Sequence, residues 1–203
     1  ILAAYRRYCA ASMSAGQLIL PDSLKLLPII TLATMKDSAF HTLPVSPDVR
    51  AQASLHLMSV SLTHYLEHFY PRLYPMTRLI DEDASSTSSY ALPACLRLSR
   101  EHLSREGIYL LCNGHEIILY IGDGVSVTLL QNIFGQSLLN ACHLQLDCQL
   151  PVLSNPASAR LREAINALRS LAAFSIPLKL IRQSVDVAEE AEWTHWMVED
   201  SSP

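Results

Sequence analysis

The sequence predicts an α+β fold, with an all-helical N-terminal unit followed by a mixed layer of strands and helices. Three patterns predict it. Helix-start signals dominate the first 80 residues, an acidic and serine-rich stretch follows at residues 81–89, and apolar β-prone runs then alternate with helical stripes. Their order along the chain separates the two units.

The N-terminal unit is predicted to be helical. Residues 1–11 are rich in helix formers, and residues 21–23 open a second segment that Pro28 should interrupt or kink, because proline lacks the amide that a helical turn needs. Ser46 and Pro47 suit the N-cap and the first position of a further helix. The apolar residues of that helix share one face: Val49, Ala53, Leu57 and Val60.

The stretch at residues 81–89 predicts a linker, placed at 84–89, because it has no apolar residue larger than alanine to hold it in a core. The balance of charge also changes there. Residues 1–80 carry seven Lys or Arg against four Asp or Glu, whereas residues 81–203 carry eight against fifteen. This split supports two units and offers no basic patch for nucleic acid.

Two apolar runs, residues 108–112 and 115–121, predict a β-hairpin. Asn113 and Gly114 lie between them, and this dipeptide tolerates the positive φ angles of a two-residue turn. Both faces of the second run are apolar, which is typical of a strand covered by helices on both sides. We therefore expect this strand to be central in its sheet.

The remaining elements alternate between helix and strand. Ser126 should cap a short helix and Asn155 a longer one, while residues 178–182 should form a strand. A final helix is predicted over residues 187–198, with acidic residues at its positive end. The short helix presents Val127, Leu130 and Phe134, and the longer one presents Leu161, Ala164, Ile165, Leu168 and Ala172.

Hydropathy and cysteine spacing indicate a cytosolic protein. The longest apolar stretch, residues 24–35, is broken by Lys25 and Pro28 and is too short to span a bilayer. The chain opens on Ile1 without an initiator Met or a signal-peptide pattern, so we expect an excised fragment. The cysteines form no C-x-x-C pair, which predicts reduced, mostly buried thiols. They are Cys9, Cys95, Cys112, Cys142 and Cys148.

Six segments point, in combination, to a known family: residues 1–7, 17–28, 69–77, 107–122, 155–158 and 197–200. The most specific are Tyr70-Pro71-Arg72-Leu73 and the strand pair around Asn113-Gly114. Taken in order, the six resemble the C-terminal part of the cargo-adaptor subunit of the COPII inner coat. The likeness runs over nearly the whole chain.

This resemblance implies a domain arrangement. Residues 1–83 would end an all-helical domain, residues 90–185 would form a gelsolin-like domain with a small mixed sheet between two helices, and residues 186–203 would form a C-terminal helix that packs back on the helical domain. A zinc-ribbon, a trunk domain and a β-barrel are implied upstream of the chain, with a final helix after it. No cofactor is expected within the chain itself.

The resemblance also implies a function without catalysis. The family acts in vesicle transport from the endoplasmic reticulum to the Golgi, by coat assembly and by recognising cargo. Its implied partners are a sister inner-coat subunit, reached through the missing upstream domains, the cytosolic tails of membrane cargo, and the endoplasmic reticulum membrane, peripherally. Its implied location is the cytoplasm, at the cytosolic face of that membrane and on COPII vesicles. The alternative is a stand-alone gelsolin-like interaction module that binds actin or another partner.

Tyrosine, arginine and tryptophan side chains are the candidates for contacts with a partner or with cargo, since these residues often anchor interfaces. Four lie in a proline-stiffened segment, and two tryptophans three residues apart can share one side of the last helix. Burial in a core or between domains competes with this role. The candidates are Tyr70, Arg72, Tyr74, Arg78, Trp193 and Trp196.

Two chemical alternatives arise from short motifs. His64 and His68 fit the H-x-x-E-H spacing of inverted zinc peptidases, with Glu67 as the base, although a peptidase needs a third ligand and a cleft. Asp123, in a Gly-Asp-Gly turn, and Glu163 suggest a calcium-dependent, actin-binding module. No nucleophile elbow, P-loop or dinucleotide-binding motif occurs, so catalysis has no support in the sequence.

Overall fold

The computed structural model describes residues 24–41, 45–81, 92–135, 148–172 and 175–200. The chain divides into two compact units, Ile1–Ser54 and Leu55–Pro203, and the sheet lies in the second. The predicted linker at residues 84–89 lies outside the described residues, and the predicted domain bounds stay a prediction.

Seven α-helices occur in the described residues, and none of them combines the length and the apolar composition that a membrane crossing requires. A short 3₁₀ turn covers Arg100–His102. The helices are α1 (Leu27–Lys36), α2 (Pro47–Ser59), α3 (Leu62–Phe69), α4 (Thr77–Asp81), α5 (Val127–Phe134), α6 (Pro156–Ser170) and α7 (Val187–His195).

The first two helices differ from what the sequence predicted for their residues. Pro28 does not interrupt a helix but lies in the first turn of α1. Proline is suited to that place, because first-turn amides have no partner within the helix. Helix α2 begins at Pro47 as predicted, but none of its residues is buried, and Val49 on the predicted apolar stripe is 46% exposed.

The described strands form one four-stranded sheet in the order β1-β2-β3-β4. Strand β2 runs antiparallel to both β1 and β3, whereas β4 runs parallel to β3. Strand β1 was not predicted, because it has only four residues and ends at Pro75. Proline is tolerated there because β1 is an edge strand, whose outer amides need no partner in the sheet. The strands are β1 (Arg72–Pro75), β2 (Ile108–Cys112), β3 (Ile117–Ile121) and β4 (Leu178–Arg182).

The predicted β2–β3 hairpin is confirmed, but its turn lies one residue further along. The amide of Asn113 donates to the carbonyl of Glu116 at 3.3 Å, so Gly114 and His115 form the tip. Gly114 has the positive φ of 90°. Asn113 contributes its side chain instead, because Oδ1 accepts from the amides of His115 and Glu116 at 3.1 and 2.9 Å. Strand β3 therefore begins at Ile117 rather than at His115.

Strand β3 is an inner strand with both faces covered, as predicted. All five of its residues are buried. Its odd-numbered residues, from Ile117 to Ile121, join a core that includes residues of α6. On the other face the ring of Tyr120 stacks on Trp193 of α7, with centroids 4.3 Å apart and planes 10° apart. A small mixed sheet between two helices thus follows the helical segment, which confirms the predicted fold class.

Helices α5 and α6 begin at their predicted caps. Ser126 accepts from the amide of Leu129 at 3.3 Å, and Asn155 accepts from the amide of Ser158 at 2.9 Å. The prediction for Val127 is wrong, since it is 61% exposed. In the two-turn α5, Leu129 and Leu130 pack against the core while partly buried, and Ile133 and Phe134 are buried. The apolar residues that the two helices bury are Ile133, Phe134, Ala157, Leu161, Ala164, Ile165 and Leu168.

The thiols are less uniformly buried than predicted. Cys148 is buried, Cys112 is half-buried and Cys95 is exposed. Cys9 and Cys142 lie outside the described residues.

Gly122, directly after β3, leaves no room for a side chain. A Cβ built at this position would lie 2.0 Å from the carbonyl oxygen of Arg105 and 2.6 Å from its carbonyl carbon. Because both are backbone atoms, we expect Gly122→Ala to lower the free energy of unfolding by about 1–3 kcal/mol. Urea denaturation measures the loss. Gly124→Ala is the matched control, since its Cβ would lie 3.2 Å from the same oxygen; equal losses for the two variants would contradict this account.

Candidate functional site

The six candidate contact residues do not lie on one surface. The exposed members are Arg72 in β1 and Arg78 in α4. The buried or half-buried members are Tyr70, Tyr74, Trp193 and Trp196. A role of the six in binding a partner or cargo stays a prediction, whereas several of them make well-defined contacts within the chain.

Glu199 connects three segments that are distant in sequence. The hydroxyl of Tyr70 donates to one of its carboxylate oxygens, and Nε of Arg97 donates to the other at 2.7 Å. The amide of Leu98 donates to the carboxylate at 3.2 Å. The amide of Glu199 in turn donates to the carbonyl of Leu98 at 2.8 Å. We term Tyr70, Arg97, Leu98 and Glu199 the C-terminal clamp.

The C-terminal clamp favours an ionised Glu199 and a neutral Tyr70. Burial disfavours the carboxylate, but the hydrogen bonds from Tyr70 and Arg97 outweigh it and lower the pKa of Glu199. Burial, followed by the hydrogen bond to Glu199, raises the pKa of Tyr70 to about 12. The tyrosine hydroxyl therefore stays protonated at neutral pH and can donate to the carboxylate.

Asp200 extends the clamp by one residue. Its two carboxylate oxygens accept from the amide and from Nε of Arg100, at 3.0 and 2.8 Å. Sequence reasoning used residues 197–200 only as a family segment and assigned no contact to Glu199 or Asp200. The sequence signal for these contacts was an acidic pair directly after two apolar residues, Met197 and Val198. Both apolar residues are buried.

The two tryptophans have different environments. Trp193 is 1% exposed and lies under the sheet against Tyr120. Trp196 is half-buried, and its ring meets that of His68 edge-on with centroids 5.8 Å apart. The last helix was predicted to run to residue 198, but α7 ends at His195 and Trp196 is its C-cap.

Arg72 is expected to contribute little to stability despite its place in β1. It pairs with Glu67, and the two side chains are 44% and 22% exposed. Because exposed pairs of this kind contribute about 0.2–1 kcal/mol, we expect Arg72→Ala to lower the free energy of unfolding by no more than that. Tyr70→Phe, which removes a donor from the C-terminal clamp, should cost more. Urea denaturation of both variants compares the two losses, and a larger loss for Arg72→Ala would contradict the ranking.

The H-x-x-E-H motif does not form a peptidase site. Nδ1 of His64 lies 2.7 Å from the hydroxyl of Ser61, at the start of α3. Glu67, the expected base, is paired with Arg72. The motif's two histidines are therefore not brought to a common ligand site with a poised carboxylate.

His68 belongs instead to a cluster with His56 and His115. One ligand nitrogen from each lies within 4.8 Å of the others, and all three side chains are half-buried. Among the described residues, this is the group of three or more side chains whose spacing suits a metal ion. Sequence spacing could not show it, because the three histidines come from α2, α3 and the β2–β3 turn.

Asp123 is already held by an ion pair. Its two carboxylate oxygens accept from Arg105 at 2.8 and 2.7 Å, and the hydroxyl of Ser184 donates to it at 3.3 Å. The hydrogen bond from Arg105 is the main cause that lowers the pKa of Asp123. Calcium would have to displace the guanidinium, so the geometry gives the calcium-dependent alternative no support.

Two protein families match the chain in the order of its sequence. The Sec23/Sec24 helical domain matches residues 1–67, and the gelsolin repeat matches residues 90–165. The β2–β3 hairpin, α5 and the first ten residues of α6 all lie within the second match. The fold and these matches define a protein of the Sec23/Sec24 class in which the helical domain precedes a gelsolin repeat.

Relatives over the whole length of the chain narrow this class. Human protein transport protein Sec24C is 36% identical over 100% of the chain, human Sec24D is 34% identical over 98%, and SEC24 B of Arabidopsis thaliana is 34% identical over 98%. The chain belongs to the Sec24 family. It spans 18%, 19% and 18% of these three relatives.

A solved structure supports the same assignment. The crystal structure of the human COPII-coat protein Sec24c matches 98% of the chain with a TM-score of 0.79 and 34% sequence identity. The match covers 25% of that protein's chain in the crystal. Identity at this level over nearly all of the chain makes the likeness one of sequence as well as of fold.

Proposed function

We propose that the chain acts as the helical and gelsolin-like portion of a COPII-coat cargo adaptor, in vesicle transport from the endoplasmic reticulum to the Golgi. The observation that carries this proposal is the likeness to Sec24C, which extends over nearly the whole chain in sequence and in fold. Human Sec24C is a protein transport protein by name, and the solved Sec24c structure is that of a COPII-coat protein.

The role proposed for the chain is recognition and assembly, without catalysis. The exposed ion pairs support this role, because their charged side chains are already paired with other side chains of the same chain. Arg105 pairs with Asp123, Arg100 pairs with Asp200, and the carboxylate of the H-x-x-E-H motif is paired as well. A small sheet with paired charges around it suits a scaffold that presents surfaces to other proteins.

The proposed partners are a sister inner-coat subunit, the cytosolic tails of membrane cargo and, peripherally, the membrane of the endoplasmic reticulum. Contact with the sister subunit would be made by domains upstream of this chain. The proposed location is the cytosolic face of the endoplasmic reticulum and COPII-coated vesicles. Of the six candidate residues, Arg72 and Arg78 are the exposed side chains on which a contact with another protein could form.

An antibody raised against this chain tests the proposal on the endogenous protein. We expect immunofluorescence at sites of vesicle formation on the endoplasmic reticulum, and co-precipitation of Sec23 at the endogenous expression level. A product near 100 kDa, roughly the mass implied by several further domains, is expected on a denaturing gel. Peptide-blocked antibody is the control.

Two outcomes would count against the coat function. One is a protein dispersed through the cytosol that does not precipitate Sec23. The other is saturable co-sedimentation with actin filaments by the same protein, which would favour the stand-alone gelsolin-like module instead.

A further inference from the structure

We propose that His56, His68 and His115 form a binding site for a divalent transition-metal ion of the zinc type, which ties α2 and α3 to the β2–β3 turn. The proposal does not depend on the coat function. It departs from the expectation that this chain holds no cofactor, and it differs from the H-x-x-E-H prediction, because His64 is not a member.

The first support is the convergence of three segments. His56 lies in the last turn of α2, His68 in the last turn of α3, and His115 at the tip of the hairpin. All three belong to the same compact unit. The one-residue shift of the hairpin turn decides the position of His115, because the side chain of Asn113 holds the amide of His115 at 3.1 Å.

The second support is the geometry of the rings. Their centroids lie 5.3 Å apart for His56 and His68, 5.1 Å for His56 and His115, and 5.3 Å for His68 and His115. This triangle is nearly equilateral, and no pair is stacked face to face, since the planes meet at 36° to 68°. Three rings arranged in this way can turn one nitrogen each toward a common centre.

The distances are close to those of a real site. Zinc binds imidazole nitrogen at about 2.0–2.1 Å, so two ligands of a tetrahedral ion lie about 3.3 Å apart. The three ligand nitrogens lie within 4.8 Å of one another. Each pair of nitrogens therefore has to come closer by at most about 1.5 Å to reach the spacing of zinc ligands.

The surroundings suit a fixed ligand set. The rings of Phe69 and Trp196 meet His68 edge-on, at 5.2 and 5.8 Å between centroids. These contacts limit the rotation of His68 and keep its environment apolar on one side.

The chemistry of the donors selects the class of ion. Neutral imidazole suits zinc, copper and nickel, whereas calcium and magnesium prefer oxygen ligands. Three protein ligands leave a fourth position for water. Zinc is the probe we would use, since it undergoes no redox change that could oxidise the exposed Cys95.

The test measures zinc binding to the full chain, prepared without a polyhistidine tag, by competition with a chromophoric chelator. We expect one zinc ion per chain. His56→Gln, His68→Gln and His115→Gln should each weaken binding by at least about tenfold, since even changes beyond the direct ligands of a metal cost that much. His64→Gln is the matched control, because it removes a histidine from the same helix as His68 and should leave the affinity unchanged.

A second measurement needs no variant and so does not depend on their folding. The extended X-ray absorption fine structure of zinc bound to the wild-type chain should report three imidazole nitrogens at about 2.0–2.1 Å and no sulfur. The proposal is overturned by the absence of stoichiometric zinc binding, by thiolate ligation, by wild-type affinity in the three cluster variants, or by an equal loss in His64→Gln.

Discussion

Replacement of Trp193 by alanine is expected to be the most damaging single change in α7. The indole is 1% exposed and stacks on Tyr120 of β3 at 4.3 Å between centroids. Removing a fully buried tryptophan leaves a cavity between α7 and the sheet, and the surrounding side chains can fill it only in part. We therefore expect a loss of about 3–5 kcal/mol in the free energy of unfolding. Urea denaturation at pH 7 measures it.

The control for this prediction lies on the same helix. Val187 is 71% exposed, so Val187→Ala should change the free energy of unfolding by no more than about 0.5 kcal/mol. If Trp193→Ala were as stable as Val187→Ala, the stack on Tyr120 would not be the contact that holds α7 on the sheet.

Replacement of Glu199 by glutamine is the second large effect. The carboxylate accepts from Tyr70, from Nε of Arg97 and from the amide of Leu98, and its side chain is 7% exposed. A hydrogen bond to a charged group contributes about 1.5–3 kcal/mol, so we expect a loss at the upper end of that range at neutral pH. Chemical denaturation of wild type and variant gives the difference.

The dependence of this difference on pH is the sharper test. Because folding lowers the pKa of Glu199, ionised Glu199 stabilises the fold fully above its unfolded pKa of about 4.3, and this contribution is lost as the pH falls through the folded pKa. Glutamine does not titrate, so the gap between wild type and Glu199→Gln should narrow as the pH falls from 5 toward the folded pKa. A gap that is constant over this interval would contradict the clamp.

Local signals in the sequence predicted much of the fold. The Asn113-Gly114 dipeptide identified the hairpin, and the strand at Leu178–Arg182 was predicted to the residue. Caps at Ser126 and Asn155 marked the starts of α5 and α6 correctly. These features depend on residues adjacent in the chain, and local patterns report such contacts directly.

Three features of the fold were not predicted correctly. Strand β1 is extended because it pairs with β2, more than thirty residues away, and no local pattern reports that pairing. Pro28 was expected to break a helix, since sequence alone does not say whether a proline falls inside a helix or in its first turn. Val127 lies on an apolar stripe, but the core begins one turn further along.

The candidate site was predicted less well than the fold. The tyrosines, arginines and tryptophans were selected by residue type, and the structure brings only Tyr70 into the C-terminal clamp with Glu199. In the histidine cluster, His56 lies 12 positions before His68 and His115 lies 47 positions after it. A motif confined to one helix could therefore include only one of the three. Convergence of this kind is a property of the tertiary fold.

The most direct test of the coat function is an exchange of the corresponding region in human Sec24C. The aligned region of Sec24C is replaced by this chain, and the chimera is expressed in cells depleted of Sec24C and of its human relative Sec24D. Transport of a membrane reporter from the endoplasmic reticulum to the Golgi is then measured. A chimera that carries Trp193→Ala serves as the folding control.

If the chain is the helical and gelsolin-like portion of a COPII adaptor, the chimera is recruited to the endoplasmic reticulum and restores reporter transport, and the Trp193→Ala chimera is impaired. A chimera that is stable, expressed at the level of Sec24C and yet fails to restore transport would contradict the central claim.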